Sequence, residues 1–138
     1  MFDFDLEKIN KMYQNTMVDH LGIIFTESDH LSLAATMPVD HRTCQPMRIL
    51  HGGASVALAE SIGSIASVWV TNDPTKACVG LEINANHIRG VKTGNIVKGI
   101  ATAIHIGRLT HIWNINILNE EGKLVCVSRL TVAIVDQK

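Results

Sequence analysis

Runs rich in Val, Ile and Thr, broken by short polar turns, fill the second half of the chain. They predict four strands, at residues 76–89, 95–107, 109–118 and 123–135. The breaks are residues 92–94, a position near Gly107, and the sequence NEEG at residues 119–122, which is typical of a hairpin turn. The second half of the chain is therefore predicted to be entirely β structure.

The first half of the chain changes from helical to strand periodicity. Apolar residues recur at helical spacing in residues 5–17, which predicts a short amphipathic helix; they are Leu6, Ile9, Met12 and Tyr13. Residues 20–29 and 30–37 predict a hairpin with residues 27–29 as its turn, because apolar and polar positions alternate in the second of these segments. Pro38 then opens a polar connection to His51, which is predicted to be a loop.

The apolar stretch after His51 predicts the main helix, from about Gly52 to about Val70, with the sequence NDPT ending it. A helix, two strands, a long helix and four strands predict one α+β domain over residues 1–138, with an antiparallel sheet of about six strands. Most of these predicted strands exceed the usual length of about five or six residues. A long sheet of this kind is expected to curve strongly and could wrap the central helix.

Composition narrows the functional class. Hydrophobic residues make up 46% of the 138 residues and charged residues 18%, so part of the surface is expected to meet another subunit. The net charge of −1 and the pI near 6.6, without a basic run, argue against nucleic acid as a partner. The cysteines have no CxxC spacing, so neither a disulfide framework nor a zinc site is indicated; they are Cys44, Cys78 and Cys126.

The cellular setting is expected to be the cytoplasm. The first residues are acidic and polar, unlike a signal peptide, and the unpaired pattern of cysteines suits a reducing compartment. No apolar run approaches the roughly 20 residues that span a bilayer. We therefore expect a soluble domain with no membrane partner.

A single carboxylate, Glu60, interrupts the apolar central helix. One face of the helix carries an apolar ridge that should pack into the sheet: Leu58, Ile62, Ile65 and Trp69. The face of Glu60 carries mostly small residues, which leave room for a flat ligand or a second backbone: Gly53, Val56, Gly63, Ser64 and Ser67. The alternative is an ordinary solvated glutamate. Against it, the helix has no other charged residue and no Lys or Arg to pair with Glu60.

The start of the helix carries a second candidate site. First-turn N–H groups have no partner within a helix and attract negative charge, and Gly52 and Gly53 would let a carbonyl come close to them. Such groups stabilise the oxyanion formed when a carbonyl is attacked. Alternatively, the glycines only permit a tight turn, His51 is a helix cap or a core histidine, and Gln45 is a polar loop residue. The combination is more specific than any of its parts.

Three segments of the sequence resemble the hotdog-fold acyl-CoA thioesterases: QPMRILHGGASVALAESIGS, VGLEINANHIR and SRLTVAI. The resemblance runs from about Met17 to Ile134. It points to the branch that holds the 1,4-dihydroxy-2-naphthoyl-CoA thioesterase of menaquinone synthesis and the proofreading thioesterase of enterobactin synthesis. It implies a curved sheet around one helix, pairing of two subunits into one continuous sheet, and often a homotetramer.

The resemblance also implies roles for single residues. Glu60 matches the catalytic carboxylate, and Gly52 matches the residue whose backbone N–H binds the thioester carbonyl. Gln45 and His51 match polar side chains beside the substrate, and Ser64 matches a further active-site hydroxyl. A segment that contacts coenzyme A, with Gly80 upstream of it, is matched by His87, Ile88, Arg89 and Gly90.

The sequence departs from the family pattern at the second coenzyme A turn. It has Arg108 after Gly107, where the branch usually has a serine. Alignment with the branch also requires single-residue insertions near Asp73 and Ile96. Arg89 is expected to hold coenzyme A phosphates, with Arg108 as a second candidate; each could instead be a solvated strand end. Neither a metal nor a separate cofactor is expected, because coenzyme A arrives as part of the substrate.

Helix geometry predicts that the active site is shared between two subunits. Gly52 and Glu60 are eight residues apart, or about 12 Å along the helix axis. One carbonyl needs both groups close to it, so a single chain cannot supply them. A two-fold homodimer with antiparallel central helices can.

Two mechanisms and several functions stay open at this point. Glu60 either attacks the thioester carbon, which the resemblance favours, or activates a water molecule. The expected substrate is an aromatic or medium acyl-CoA, such as a 1,4-dihydroxy-2-naphthoyl-CoA-like or benzoyl-CoA-like thioester, or an acyl group on a carrier protein. The rivals are a hotdog-fold hydratase or dehydratase, whose His–acid motif is not seen here, and a non-catalytic acyl-CoA-binding module.

Overall fold

Six antiparallel strands form one sheet in the computed structural model, which describes residues 4–138. In chain order they are β1 (Ile24–Asp29), β2 (Ser32–Pro38), β3 (Lys76–His87), β4 (Ile96–Ile106), β5 (Thr110–Leu118) and β6 (Leu124–Asp136). In space the order is β1-β2-β4-β5-β6-β3, so that β1 and β3 are the edge strands. The predicted α+β architecture and the four strands of the second half are confirmed.

The sheet bends at irregular points in its strand pairing. Register shifts interrupt the pairing in β1, β3 and β4, and one lies at the end of β5. Such bulges increase the local twist and curve a sheet. The curved sheet wraps the long helix α3 (Gly52–Thr71), which contacts all strands from β2 to β6.

Close packing holds α3 against the sheet. Leu58 and Ile62 are fully buried, and Gly63 and Gly99 allow close approaches between helix and sheet. A Cβ at Gly63 would lie 2.6 Å from a methyl carbon of Leu130, and one at Gly99 would lie 2.7 Å from Ile62 Cδ1. Because real Cβ contacts are longer, a larger residue at either position would require the facing side chain or the helix to shift.

The central helix is also long and apolar enough to cross a membrane, by length and composition alone. It has 20 residues and a mean hydropathy of 1.3, so the expectation that no segment approaches this length was wrong on those two grounds. Half of that apolar window is buried inside the protein, and the core helix of a globular domain meets the same criteria.

The N-terminal segment forms two short helices where the sequence predicted one. They are α1 (Leu6–Met12) and α2 (Met17–His20), and Asn15 between them has a positive φ of 63°. A left-handed residue cannot continue a right-handed helix, so the chain turns here. Ile9 of α1 is buried in the core, and the Asn10 side chain bonds both backbone polar groups of Phe25 at the start of β1.

The turn of the first hairpin lies later than predicted. Residues 27–29 belong to β1 and pair with residues 32–34 of β2, so the turn falls at His30 and Leu31. Leu31 adopts a positive φ of 54° there. The predicted turn was wrong because the polar composition of residues 27–29 reflects an exposed edge strand rather than a turn.

Candidate active site

The connection that leads into α3, residues 39–51, is a loop held in place by hydrogen bonds, and we call it the pinned loop. Thr43 is almost fully buried: its hydroxyl donates to Pro38 O at 2.7 Å and accepts from Asp40 N–H. Arg42 pairs with Asp40 at 2.7 Å, and this hydrogen bond lowers the pKa of the Asp40 carboxyl to about 2. Thr43 O accepts from the backbone N–H of His51 at 2.8 Å. These bonds fix where the helix starts.

His51 is the N-cap of α3, one of the two roles the sequence left open. Its ring nitrogen Nδ1 accepts from Gly53 N–H at 2.8 Å, and the side chain is otherwise exposed. An accepting Nδ1 leaves the ring proton on Nε2, so the outer edge of the ring is a hydrogen-bond donor.

The backbone N–H of Gly52 has no acceptor among residues 4–138. Gly52 lines a cleft of about 220 Å³ that the helix start shares with the end of β3. The His87 ring packs directly on Gly52, since a Cβ there would lie 3.0 Å from His87 Nε2. The structure thus brings Gly52 together with the whole predicted coenzyme A segment: His87, Ile88, Arg89 and Gly90.

The backbone of that segment is fixed by β6, while the Arg89 side chain remains exposed. The N–H groups of Ile88 and Arg89 both donate to Val125 O, and the Arg89 guanidinium donates to Leu124 O at 2.7 Å. The guanidinium has five N–H donors, so several remain for an anionic ligand at the mouth of the cleft.

Glu60 lines a different cleft of about 460 Å³ on the other side of α3. Its carboxylate is half-buried and has no hydrogen bond or ion pair among residues 4–138. Ser64, one turn further on, lines the same cleft, as predicted from its position. Gly63 and Ser67 do not: both are buried against the sheet, which corrects their expected place on the Glu60 face.

Gly80 lies beside Glu60 rather than beside the coenzyme A segment. A Cβ at Gly80 would be 2.6 Å from Glu60 Oε1. Gly80 and Arg89 are nine residues apart, about 30 Å in an extended strand, so one chain does not bring them to one site. Gly80 is therefore better described as the residue that makes room for the carboxylate.

Arg108 lies at the opposite end of α3 from Arg89. It lines a separate cleft together with Thr71 and Lys76, near the C-terminal end of the helix. The 20-residue helix is about 30 Å long, so Arg108 is not part of the Gly52 cleft within one chain. Gln45 lies in the pinned loop, where its side-chain oxygen accepts from Met47 N–H, and it lines neither the Gly52 cleft nor the Glu60 cleft.

Sequence reasoning missed two residues that line the Glu60 cleft from outside α3. Tyr13 and Met17 of the N-terminal segment face this cleft, opposite Val56 and Ala57 of the helix. The sequence showed only that Tyr13 belongs to an apolar helix face. Docking of that face near Glu60 is a long-range contact without a local pattern.

The sequence matches known thioesterases along most of its length. The thioesterase superfamily profile matches residues 47–126, from the pinned loop to β6. The chain belongs to this superfamily. It is 50% identical over 129 residues to the 1,4-dihydroxy-2-naphthoyl-CoA hydrolase of Escherichia coli (strain K12), across 94% of this chain and 93% of that protein. It is 48% identical over 129 residues to the proofreading thioesterase EntH of Cronobacter sakazakii, with the same two coverages.

The fold also matches solved thioesterases. The crystal structure of a mutant of thioesterase PA1618 from Pseudomonas aeruginosa superposes with a TM-score of 0.94 and 50% sequence identity, across 97% of this chain and 96% of that one. The architecture is the hotdog fold, and the chain is an enzyme of the thioester hydrolase class.

Proposed function

We propose that this protein is an acyl-CoA thioesterase that hydrolyses an aromatic or medium acyl thioester at a site shared by two subunits. The observation that carries the proposal is the separation of the two reactive groups. Gly52 and Glu60 open into different clefts of the same chain, about 12 Å apart along α3. A complete site needs Glu60 from one subunit and Gly52 from the other.

The edge strand β3 supports this pairing. It runs antiparallel to α3, with His87 against Gly52 and Gly80 against Glu60. The strand has no partner on its outer side among residues 4–138, and it exposes the apolar side chains of Val79 and Leu81. Unpaired strand edges of this kind are ready to pair with another strand.

A two-fold axis near Asn84 would complete both sites at once. Antiparallel pairing of β3 with its copy about that axis places Gly80 opposite His87 of the partner subunit. Glu60, which packs on Gly80, then lies beside Gly52 of the partner subunit. The dimer has two equivalent sites of this kind. Assembly of two such dimers into a homotetramer stays a prediction.

The helix start supplies the electrophilic part of the proposed site. The thioester oxygen accepts from Gly52 N–H, at the positive end of α3. His51, whose Nδ1 caps the helix, keeps Nε2–H as a second candidate donor to the substrate. Gln45 lies in the loop before His51, and its amide NH₂ is a candidate for orienting the substrate. The polarised carbonyl carbon becomes the point of attack.

Glu60 supplies the attacking electrons by one of two balanced routes. In the first, its oxygen bonds to the carbonyl carbon, the C–S bond breaks, coenzyme A leaves as a thiolate, and water hydrolyses the acyl anhydride. In the second, Glu60 takes a proton from water, whose oxygen attacks the carbon directly. The C–S bond then breaks, the leaving thiolate takes the proton back from Glu60, and the acid is released. We favour the first, because the partnerless carboxylate lies on a face of small residues that allows close approach of a carbonyl.

The nucleotide part of coenzyme A is assigned to the surface outside the Gly52 cleft, with its phosphates at the mouth. Arg89 at its mouth is the candidate for phosphate binding, since its guanidinium keeps unused donors and is exposed. Residues 88–90 form the wall along which the pantetheine arm would run towards Gly52. Arg108 enters this site only if another subunit brings it there.

A panel of acyl-CoA substrates tests the proposal. Benzoyl-CoA, 1,4-dihydroxy-2-naphthoyl-CoA, hexanoyl-CoA and a benzoyl-loaded acyl carrier protein are offered to the purified enzyme, and free thiol is followed with a thiol-reactive dye. Thiol release that depends on Glu60 supports the function. Release only from acyl carrier protein points to the proofreading alternative, and binding without any release points to a non-catalytic acyl-CoA-binding module.

A further inference from the structure

The Glu60 cleft has a second wall that does not come from α3. Tyr13 lies just after α1 and Met17 begins α2, and both face the apolar residues Val56 and Ala57 across the cleft. We propose that Tyr13 and Met17 form the acyl-recognition wall and select flat aromatic acyl groups over aliphatic ones. This rests on the proposed function, since it takes the Glu60 cleft as the acyl pocket.

Tyr13 is held as a rigid aromatic surface. Its ring stacks on Phe25, with centroids 5.5 Å apart and 16° between the planes. Phe25 is itself buried, and Asn10 of α1 bonds its backbone N–H and C=O. Phe25 therefore covers one face of the Tyr13 ring, and since Tyr13 also lines the cleft, we infer that the opposite face borders it. An aromatic acyl ring lying on that face would continue the stack.

Burial also keeps the Tyr13 phenol neutral, since it raises the pKa of the hydroxyl above its usual value. No charge therefore develops next to Glu60 at the pH at which thioesterases are assayed. The wall stays an uncharged aromatic surface.

Met17 provides the adaptable part of the wall. It is 64% exposed at the first residue of α2, so its position is not fixed by core packing. Thioether sulfur makes favourable contacts with aromatic rings, and the unbranched side chain adjusts to their outline. On the helix side, Ser61 and Ser64 are small and leave width for a flat group.

The two kinds of acyl group should respond differently to loss of the aromatic wall. A hexanoyl chain gains only from burial of apolar surface, which a leucine provides as well as a tyrosine ring. An aromatic acyl group gains stacking as well, worth about a 10-fold change in binding at most. Specificity should therefore change without a general loss of activity.

The test compares kcat/KM for benzoyl-CoA and hexanoyl-CoA in matched variants. Tyr13→Leu should lower kcat/KM for benzoyl-CoA about 10-fold and leave hexanoyl-CoA within about 2-fold, while Tyr13→Phe should match the wild type on both. Met17→Ala should lower kcat/KM for benzoyl-CoA about 3-fold. Met12→Ala is the matched control, because Met12 is 51% exposed on α1 and does not line the cleft.

The outcomes separate this inference from the function on which it rests. Equal losses on both substrates in Tyr13→Leu, with a lowered melting temperature, would make Tyr13 a packing residue and overturn the inference. If the ratio of kcat/KM for benzoyl-CoA to kcat/KM for hexanoyl-CoA were unchanged in Tyr13→Leu and Met17→Ala, the inference would also be overturned. If the wild type released thiol from neither substrate, the proposed function would fail, and the acyl wall with it.

Discussion

Glu60 and Gly80 fit together so closely that the carboxylate occupies the space of a side chain. A Cβ at position 80 would lie 2.6 Å from Glu60 Oε1, well inside normal contact. Gly80 sits where the pairing of β3 with β6 shifts register, a bulge that gives the strand a local bend. The sheet is thus shaped to receive the carboxylate from the central helix.

Gly80→Ala should therefore damage catalysis more than folding. The added methyl meets the far end of a flexible side chain, so Glu60 can turn away at little cost to packing. We expect kcat to fall at least 10-fold and the melting temperature to change by only a few degrees. Thiol release and a thermal melt on the same preparation check this. A Gly80→Ala enzyme with normal kcat would show that the position of the carboxylate does not matter.

Glu60→Gln should lower kcat by at least 100-fold in a folded protein. Glutamine keeps the volume of the side chain but cannot act as a nucleophile or base at the carbonyl. Stability should hold, because the carboxylate makes no hydrogen bond or ion pair among residues 4–138 whose loss would matter. Single-turnover thiol release measures the effect. Retention of near-normal turnover would remove Glu60 from the mechanism.

The sequence predicted the fold well because the decisive features were local. Runs of β-branched residues predicted β3 to β6 within about two residues of their observed ends, and the sequence NDPT predicted the end of α3, where Asn72 adopts a left-handed φ of 44°. The single N-terminal helix was wrong because one residue, Asn15, reverses the chain. A positive φ at a residue other than glycine is hard to foresee from sequence.

The sequence predicted which side of α3 a residue faces, but it did not predict whether that part of the helix is open or covered by the sheet. Ser67 points in nearly the same direction as Glu60, so periodicity placed both on one face. Two turns further along, however, β5 closes over the helix and Ser67 is fully buried. Periodicity gives direction around the axis, but the extent of the sheet decides which part of a face is open.

Arg89→Ala should raise KM for acyl-CoA several-fold more than it lowers kcat. A phosphate contact far from the carbonyl contributes equally to ground-state and transition-state binding. The side chain is exposed and its one bond to Leu124 O is peripheral, so the fold should tolerate the change. An acyl-pantetheine substrate, which has no nucleotide, is the control. If its KM rose as much as that of acyl-CoA, Arg89 would not be a nucleotide contact.

A buried polar cluster should make Ser67 important for stability. The Ser67 hydroxyl accepts from Trp113 Nε1–H at 2.8 Å and contacts His111 Nδ1 at 3.0 Å. Burial lowers the pKa of His111, which favours the neutral ring that can accept from the serine. Ser67→Ala leaves both rings without this partner, so unfolding free energy should fall by about 2 kcal/mol.

Ser64→Ala is the matched control for this cluster. Ser64 lies on the same helix but lines the open cleft, so its loss should change stability by less than about 0.5 kcal/mol. Urea unfolding of both variants followed by tryptophan fluorescence makes the comparison. Equal stability of the two variants would show that the buried cluster contributes nothing.

The last prediction concerns whether each active site is formed by residues of two subunits. If Glu60 of one subunit works with His51 and Gly52 of the other, two inactive variants should restore each other. Glu60→Ala chains retain the helix start, and His51→Ala chains retain the carboxylate. His51→Ala should still fold, since loss of a helix cap costs about 1 kcal/mol.

Mixing the two variants, denaturing them and refolding them should produce both parental dimers and mixed dimers that contain one chain of each variant. Random pairing makes about half of the dimers mixed, and each mixed dimer has one intact site and one doubly damaged site, so about a quarter of all sites should recover. Each variant refolded alone is the control. Recovery in the mixture requires that Glu60 and His51 act across the subunit boundary, because no chain in it carries both. A mixture no more active than the mean of its parents would place the whole site within one chain, and the pairing of β3 edges would then have no catalytic role.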